Sequence, residues 1–181
     1  MKHNYLFFSE RLGFRNWEKE DLAKMQEINA DREVMAYFPA IQTEAQTKEF
    51  IERMKNQYSE KRYCYFAVDK LETAEFIGFI GLSEQNFEAD FTPCIDIGWR
   101  LAKKEWGQGL ATEGAKRCLQ YAFEELKVDR IYAIAPAVNL PSIAVMKKIG
   151  MDPVLSFEHP RLMNDDRLKT CMLYAINNNQ S

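Results

Sequence analysis

The sequence has little of the chemistry that builds disulfide frameworks or metal sites. Its 181 residues include four cysteines and two histidines, and no two cysteines form a Cys-x-x-Cys pair. We therefore expect no metal site. One cysteine falls on the apolar face of a helix-like segment and three fall in strand-like segments, namely Cys118, Cys64, Cys94 and Cys171. Such positions predict free, buried thiols that pack as small hydrophobic groups.

The chain also lacks a long apolar run and a strong excess of charge. No segment approaches the roughly 20 apolar residues of a membrane-spanning helix. The N-terminal residues lack the apolar core and the small-residue cleavage site of a secretory signal. The formal net charge of −3 provides no strong positive field, so neither extended nucleic acid nor an anionic membrane is expected as a partner. These absences predict a cytoplasmic protein.

Apolar material is sufficient for one ordinary domain. Hydrophobic residues make up 46% of the 181 residues, and a chain of this length can bury a substantial core. No repeat, linker or low-complexity block divides it. We expect a single domain over residues 1–176 and a disordered tail over residues 177–181.

Hydrophobic periodicity predicts an alternation of strands and helices. Strands are expected at 11–15, 63–68, 75–82, 94–101 and 130–136 and in the segments DPVLSFEHP and KTCMLYAI. Helices are expected in WEKEDLAKMQEINA, in KEFIERMKNQY behind a Thr43–Gln46 capping box, from the glycines to Leu126, and in NLPSIAVMKKIG. This order predicts a mixed α/β fold with about four helices and a mostly antiparallel central sheet of six to seven strands. One parallel step is expected across the long helix.

The segment CIDIGWRLAKKEWGQGLATEGAKRCLQYAFEEL, residues 94–126, is the most informative. A strand leads through two closely spaced glycines into the start of an amphipathic helix. Gly107 and Gly109 permit a tight loop, and the start of the helix offers unpaired N–H groups and the positive end of its dipole. This arrangement predicts a site for a pyrophosphate-bearing cofactor.

Two common nucleotide loops do not fit these glycines. The dinucleotide fingerprint requires Gly-x-Gly-x-x-Gly, and Gly114 stands two positions too late for the third glycine. A P-loop requires Gly followed by Lys and by Ser or Thr, whereas Gly109 precedes Leu110 and Ala111. A nucleotide-binding protein is therefore disfavoured by spacing.

The segment WGQGLATEG instead resembles the loop of the GCN5-related N-acetyltransferases. Their pattern is Arg or Gln, two variable residues, Gly, one variable residue, then Gly or Ala. Trp106 stands in place of the leading Arg or Gln, which resembles the branch of ribosomal-protein N-terminal acetyltransferases, where WGxGxATE is usual. IDIGWRL, NLPSIAVMKKIGM and FEHPRL…LYAI resemble the same family in the same order. The resemblance covers nearly the whole chain.

The resemblance implies a fold with splayed central strands and acetyl-CoA as cosubstrate. The pantetheine would lie against backbone groups of the strand before the loop, and the pyrophosphate would lie against the amides of the loop. The cofactor-binding residues so implied are Trp99, Arg100, Leu101, Trp106, Gly107, Gln108, Gly109, Leu110, Ala111, Thr112, Asn139, Ser142 and Lys148. No metal is implied.

Asp96 is the candidate general base, because it stands in CIDIGWRL where the family often carries a strand glutamate that faces the cleft. Apolar residues at 95, 97, 99 and 101 form one face of this strand, which leaves Asp96 either in the cleft or in solvent. Asp is one methylene shorter than Glu, so relay through a water is expected. An ordinary pKa near 3.9 would make Asp96 an inefficient base unless burial raises it.

Five further residues are implied near the reacting groups. Asn139 and Ser142 begin a short helix in the family's NxxS arrangement; Asn139 also suits a helix cap, and Ser142 would donate a hydrogen bond to the departing thiolate. His159 is expected to shape a loop beside the acceptor rather than take a proton. Tyr37 and Phe38 lie in a bend that overhangs the acceptor in this family, where they would contact substrate.

The resulting hypothesis is an acetyl-CoA-dependent N-acetyltransferase that works by direct attack of a primary amine in a ternary complex. The resemblance to the ribosomal-protein branch slightly favours a peptide or protein N-terminus over a small amine. Such an acceptor needs a weaker base, because an α-amine costs only about 1 kcal/mol to deprotonate at pH 7 whereas a lysine amine costs roughly 4–5 kcal/mol. The alternative is a non-catalytic acyl-CoA-binding regulatory or interaction module. A monomer or a homodimer is expected.

Overall fold

The computed structural model describes residues 4–178, which form one sheet with helices on both faces. The strands are β1 Phe7–Phe8, β2 Leu12–Arg15, β3 Tyr65–Lys70, β4 Glu75–Gln85, β5 Cys94–Leu101, β6 Arg130–Pro136, β7 Asp152–Glu158 and β8 Thr170–Asn177. The helices are α1 Asp21–Ala30, α2 Glu44–Lys61, α3 Leu110–Glu124 and α4 Leu140–Lys148. Single 3₁₀ turns lie at Lys103–Glu105 and Pro160–Leu162.

The sheet confirms the predicted mixed α/β fold. Its eight strands run in the order β1-β2-β3-β4-β5-β6-β8-β7, and all neighbours are antiparallel except β5 and β6. The parallel step follows the crossover through α3, as predicted. Only one bridge, Asp96 to Tyr132, joins β5 to β6. Beyond that bridge the two central strands diverge, which confirms the expected splay.

Each face of the sheet is covered by a different pair of elements. The α3 helix packs closely on one face, because a Cβ added at Gly114 would meet Ile80 Cδ1 at 2.3 Å. The α1 and α2 helices cover the other face, where the rings of Phe50, Tyr65 and Phe79 lie within 6.3 Å of one another, centroid to centroid. The β5 strand therefore presents its odd-numbered residues to the α3 face and its even-numbered residues to the α1–α2 face.

Local sequence signals account for the helix ends. Thr43 Oγ1 accepts a hydrogen bond from the Gln46 amide, and Gln46 Oε1 accepts one from the Thr43 amide, so the predicted capping box is confirmed. The α4 helix is followed by Gly150 at a φ of 86°, a conformation that favours glycine. All four cysteines are buried and free, as predicted.

Several elements differ from the predicted ones, among them β3, which was predicted at 63–68 and runs from Tyr65 to Lys70. The strand β1 was missed, because a two-residue strand carries no periodicity. The β4 strand continues past the predicted residue 82 to Gln85, whose side chain is held by β5. The β8 strand includes Asn177, and the Asn178 amide donates to the Asp129 carbonyl, so these two residues do not belong to a disordered tail. Residues 179–181 of that predicted tail lie outside the described residues. Within residues 4–178 no helix has the length and apolarity needed to cross a membrane.

Candidate active site

The glycine loop has the backbone conformation that its sequence predicts. Gly107 and Gly109 have φ values of 74° and 77°. A Cβ at Gly107 would meet nothing within 4 Å, and one at Gly109 would meet only Arg11 Nη2 at 3.8 Å. Glycine is therefore required here for its left-handed conformation and not for lack of space.

The start of α3 leaves its first amides available to a ligand. Gly109 is the N-cap residue and no side chain caps the helix. The amides of Leu110, Ala111 and Thr112 therefore lack partners within the helix, since its first hydrogen bond of this kind runs from the Glu113 amide to the Gly109 carbonyl. Gly107, Gln108 and Gly109 are exposed beside them. These groups place unpaired N–H donors and the positive end of the helix dipole at the surface, an arrangement that suits an anion; we refer to it as the anion site.

A brace from the first hairpin holds this loop, and it was not predicted from the sequence. Glu113 accepts hydrogen bonds from the Ser9 hydroxyl at 2.6 Å, from the Arg11 amide at 2.8 Å and from Arg11 Nε at 2.6 Å. Arg11 Nη1 donates to the Gln108 carbonyl at 3.1 Å. The brace explains the acidic residue in ATEG and places a half-exposed guanidinium beside the anion site.

The strand β5 forms one wall of the splay. The Ala102 amide donates to the Ile77 carbonyl on the β4 side, and backbone groups alternate sides along a strand. Trp99 and Leu101 therefore direct their backbone groups toward the gap between β5 and β6. The Leu101 carbonyl already accepts a hydrogen bond from Trp106 Nε1 at 3.0 Å, so Trp106 supports this wall through its indole.

Asp96 lies on the α1–α2 face beside the bridge where the splay begins. Its side chain is buried rather than solvated, with the residue 6% exposed. Asp96 Oδ1 accepts hydrogen bonds from the Tyr65 hydroxyl at 2.8 Å and from Gln85 Nε2 at 3.0 Å. Burial raises the pKa of Asp96 to about 6, against the opposing effect of these two donors. The structure thus places the candidate base in the environment that a base near neutral pH requires.

Arg100 lies on the same face as Asp96, and its side chain points away from the anion site. The residue is 9% exposed, and Nη1 donates to Asn29 Oδ1 at 2.6 Å. The guanidinium carbon lies 4.2 Å from the ring centroid of Phe38 and 5.4 Å from that of Phe79. Its backbone pairs with Phe79 of β4, so neither the side chain nor the backbone of Arg100 faces the splay, and its predicted contact with the cosubstrate gains no support from the geometry.

The α4 helix brings Asn139 and Ser142 to the end of β6. Asn139 is the N-cap residue, and its Oδ1 accepts a hydrogen bond from the Ser142 amide at 3.2 Å. Both residues are partly exposed. Lys148 is exposed in the last turn of α4, at the opposite end of that helix.

His159 belongs to an aromatic cluster behind the site. Its ring lies 4.3 Å from that of Phe87, and its Nδ1 accepts a hydrogen bond from the Arg161 amide. Burial lowers the pKa of His159 below its ordinary value, so the ring is neutral at physiological pH. In the bend between α1 and α2, Phe38 lies over Arg100 and is 37% exposed, whereas Tyr37 is half-buried.

These elements together fit acetyl-CoA. A gap with unpaired backbone groups suits an amide-bearing arm, and an uncapped helix start beside Arg11 suits a pyrophosphate. A buried carboxylate with a raised pKa, at the bridge where the gap begins, suits removal of a proton.

Comparison with known proteins agrees with this geometry. The family model of the acetyltransferase (GNAT) domain matches residues 11–152. An uncharacterized N-acetyltransferase, YnaD of Bacillus subtilis (strain 168), is 33% identical over 144 residues, which cover 79% of this chain and 80% of the relative. The crystal structure of a GNAT-family acetyltransferase from Bacillus anthracis superposes with a TM-score of 0.78 and 29% identity, covering 94% of this chain and 97% of that one.

Two further solved structures share the fold at lower identity. A spermidine N-acetyltransferase from Vibrio cholerae in complex with CoA and spermine has a TM-score of 0.74 and 19% identity, covering 93% of this chain and 96% of that one. RimL, a ribosomal L7/L12 alpha-N-protein acetyltransferase in complex with coenzyme A, has a TM-score of 0.77 and 12% identity, covering 96% and 98%. With the family model matching most of the chain, this protein belongs to the acetyltransferase (GNAT) family and is an N-acetyltransferase that uses acetyl-CoA.

Proposed function

We propose that the chain acetylates a primary amine by direct attack in a ternary complex, with Asp96 receiving the proton of the amine. The observation that carries this proposal is a buried carboxylate beside the splay, with a pKa raised to about 6 and two neutral donors holding its orientation. Acetyl-CoA would supply an acetyl thioester as the electrophile. The remaining steps belong to side chains and backbone groups of this chain.

Binding of the cosubstrate rests mainly on backbone. The amides from Gly107 to Thr112 would surround the pyrophosphate, and the Trp99 backbone with the Leu101 amide would hold the pantetheine. Arg11 adds a positive charge that the loop itself lacks. Asn139 would contact the pantetheine at the end of β6. Lys148 lies at the opposite end of α4, so we propose that it contacts only the outer part of acetyl-CoA.

The raised pKa of Asp96 suits removal of a proton from an α-amine. A carboxylate with a pKa of about 6 remains ionised at pH 7 and is a stronger base than a solvated aspartate. Tyr65 stays a neutral donor, because burial and the Asp96 charge raise its pKa well above the ordinary value. Tyr65 therefore orients the carboxylate. A water between Asp96 and the amine would carry the proton from the amine to the carboxylate.

The departing thiolate needs little stabilisation by the protein. A thiol pKa near 8.5 makes thiolate a tolerable leaving group at neutral pH. Ser142, partly exposed at the start of α4, is proposed to donate one hydrogen bond to the sulfur. Its role is one of modest stabilisation.

For the acceptor we propose an α-amine, of a peptide or protein N-terminus ahead of a small molecule. RimL, whose name states an alpha-N-protein acceptor, shares the fold, and the titration of Asp96 suits an amine of pKa about 7.7–8.0. The spermidine acetyltransferase with the same fold leaves small amines as the second acceptor class.

The test measures acetyl-CoA binding and turnover in the wild-type enzyme, in Asp96→Asn and in a control variant. Acetyl-CoA affinity is measured by calorimetry, and thiol release is measured with peptides, free amino acids and polyamines. We expect Asp96→Asn to keep its acetyl-CoA affinity and to lose about 100-fold or more in kcat. The matched control is Asp90→Asn, an exposed carboxylate in the preceding loop.

The pH profile supplies the second criterion. The wild-type kcat/KM is expected to rise through about pH 6, as Asp96 loses its proton. Full activity of Asp96→Asn would remove the proposed base. Tight acetyl-CoA binding without thiol release by any amine would favour a non-catalytic acyl-CoA-binding module instead.

A further inference from the structure

Among the described residues two arginines, Arg15 and Arg100, are buried, and they differ in how their charge is balanced. Arg15, 2% exposed, donates to Asp21 through Nη1 and Nη2 and to Asp69 through Nε and Nη2, so its charge is balanced by two carboxylates. Arg100, 9% exposed, donates one hydrogen bond to the neutral amide of Asn29, and within residues 4–178 it forms no ion pair. A buried charge without a partner of opposite sign is costly.

The guanidinium of Arg100 is oriented so that one edge is unused. Its guanidinium carbon lies over the rings of Phe38 and Phe79, and Nη1 donates a hydrogen bond to Asn29. Asn29 itself is fully buried and donates to Gln42 and Thr47, which fixes the amide that Arg100 meets. Arg100 Nε is buried without a partner. The Nε and Nη2 groups form the fork that fits the two oxygens of a carboxylate.

This edge lies on the acceptor side of the sheet and close to the proposed base. Phe79 stacks on Tyr65 at 5.0 Å between centroids and lies 5.4 Å from the Arg100 guanidinium carbon. Tyr65 in turn donates to Asp96. The Phe79 ring thus contacts both Tyr65, which orients Asp96, and the Arg100 guanidinium.

The ring that lies over Arg100 is itself partly exposed to solvent. Phe38, which covers Arg100, is 37% exposed in the segment between α1 and α2. Its neighbour Pro39 lines a cavity of about 450 Å³ whose other wall is formed by residues 161–167, between β7 and β8. A substrate group would reach the guanidinium by displacing the Phe38 ring that lies over it.

We propose that Arg100 binds a carboxylate of the acceptor, placed a few bonds from the amine that is acetylated. This inference rests on the proposed function. It names the acceptor class as amino-acid-like or peptide molecules with a carboxylate near their amine, and it disfavours polyamines, whose positive charges would meet a buried guanidinium. Arg100 is then a specificity residue that contacts substrate and takes no part in proton transfer.

The experiment compares acceptors that differ only in one carboxylate. Three pairs distinguish where that carboxylate lies: an amino acid and its amide, a dipeptide and its amide, and a peptide with Asp or Asn at its second position. We expect kcat/KM to favour the carboxylate member of at least one pair by about 10-fold or more in the wild-type enzyme. In Arg100→Gln the ratio is expected to fall to near one, and Arg100→Lys should restore part of it.

Binding supplies a readout apart from turnover. In the presence of CoA, the preferred carboxylate acceptor should raise the melting temperature of the wild-type enzyme and not that of Arg100→Gln. Arg62→Gln is the matched control, because Arg62 is exposed and also lies over an aromatic ring, 5.3 Å from Tyr58. If Arg100→Gln fails to fold, the wild-type acceptor pairs alone decide the matter.

The outcomes separate this inference from the function beneath it. Equal rates for carboxylate and amide acceptors, or a preference for polyamines, would overturn the role of Arg100 and leave the acetyltransfer intact. A loss of acetyl-CoA affinity in Arg100→Gln would assign the guanidinium to the cosubstrate instead. An absence of thiol release with every amine would reject the proposed function itself.

Discussion

Asp96 shows how one side chain is tuned by two opposing effects. Burial disfavours the charged carboxylate, whereas hydrogen bonds from Gln85 and Tyr65 favour it. Burial is the larger effect and leaves the pKa at about 6, above the ordinary 3.8. The folded chain therefore holds the proton more tightly than the unfolded chain does. The stability that this provides is complete below about pH 3.8 and is lost as the pH rises through about 6.

We therefore expect the buried charge of Asp96 to lower the stability of the folded chain while it serves the proposed reaction. Because each pKa unit corresponds to about 1.4 kcal/mol, Asp96→Asn should raise the free energy of unfolding at pH 8 by on the order of 2 kcal/mol. The gain should shrink toward zero near pH 4, where the wild-type carboxyl is protonated. Urea unfolding across this pH range measures the difference. A variant less stable than the wild-type enzyme at pH 8 would mean that the carboxylate is well solvated.

At the scale of elements, the glycine loop could be predicted and its brace could not. Two glycines before an amphipathic helix are a local pattern, and their positive φ values follow from it. The contact between Arg11 and Glu113 joins residues 102 positions apart, and no local pattern encodes such a pairing. Gln85 was missed for a related reason, since its polar segment resembles a turn until β5 pairs with it.

Substitution of Gly109 tests the loop as an element. Gly109→Val forces a β-branched residue to a φ of 77°, which costs of order 1–3 kcal/mol and moves the amides that face the pyrophosphate. We expect acetyl-CoA affinity to fall at least about 10-fold by calorimetry. Gly150→Val is the control, because Gly150 has a similar φ of 86° at the far end of α4. Equal losses in both variants would attribute the effect to general strain.

At the scale of the whole molecule, the single eight-stranded sheet consists of two antiparallel halves that meet at one bridge. The β1 to β5 strands and the β6 to β8 strands each pair along most of their lengths, whereas β5 and β6 meet only at Asp96 and Tyr132. Hydrophobic periodicity predicted the order of strands, because period-two and helical patterns are local. It did not predict which face of β5 is buried, and so left Asp96 between cleft and solvent. The packing of α1 and α2 decides that question.

Binding of CoA should therefore join the two halves of the sheet. The Trp99 and Leu101 amides face the splay, so their hydrogen exchange is expected to slow when CoA occupies it, and the melting temperature should rise with CoA concentration. At 100 times the dissociation constant the stabilisation is about 2.7 kcal/mol. The Leu173 amide is the internal control, because it lies in β8, which pairs with β6 on one side and with β7 on the other, so its exchange reports global opening. Slowing confined to the loop amides, with Trp99 and Leu101 unchanged beyond that control, would show that CoA does not enter the splay.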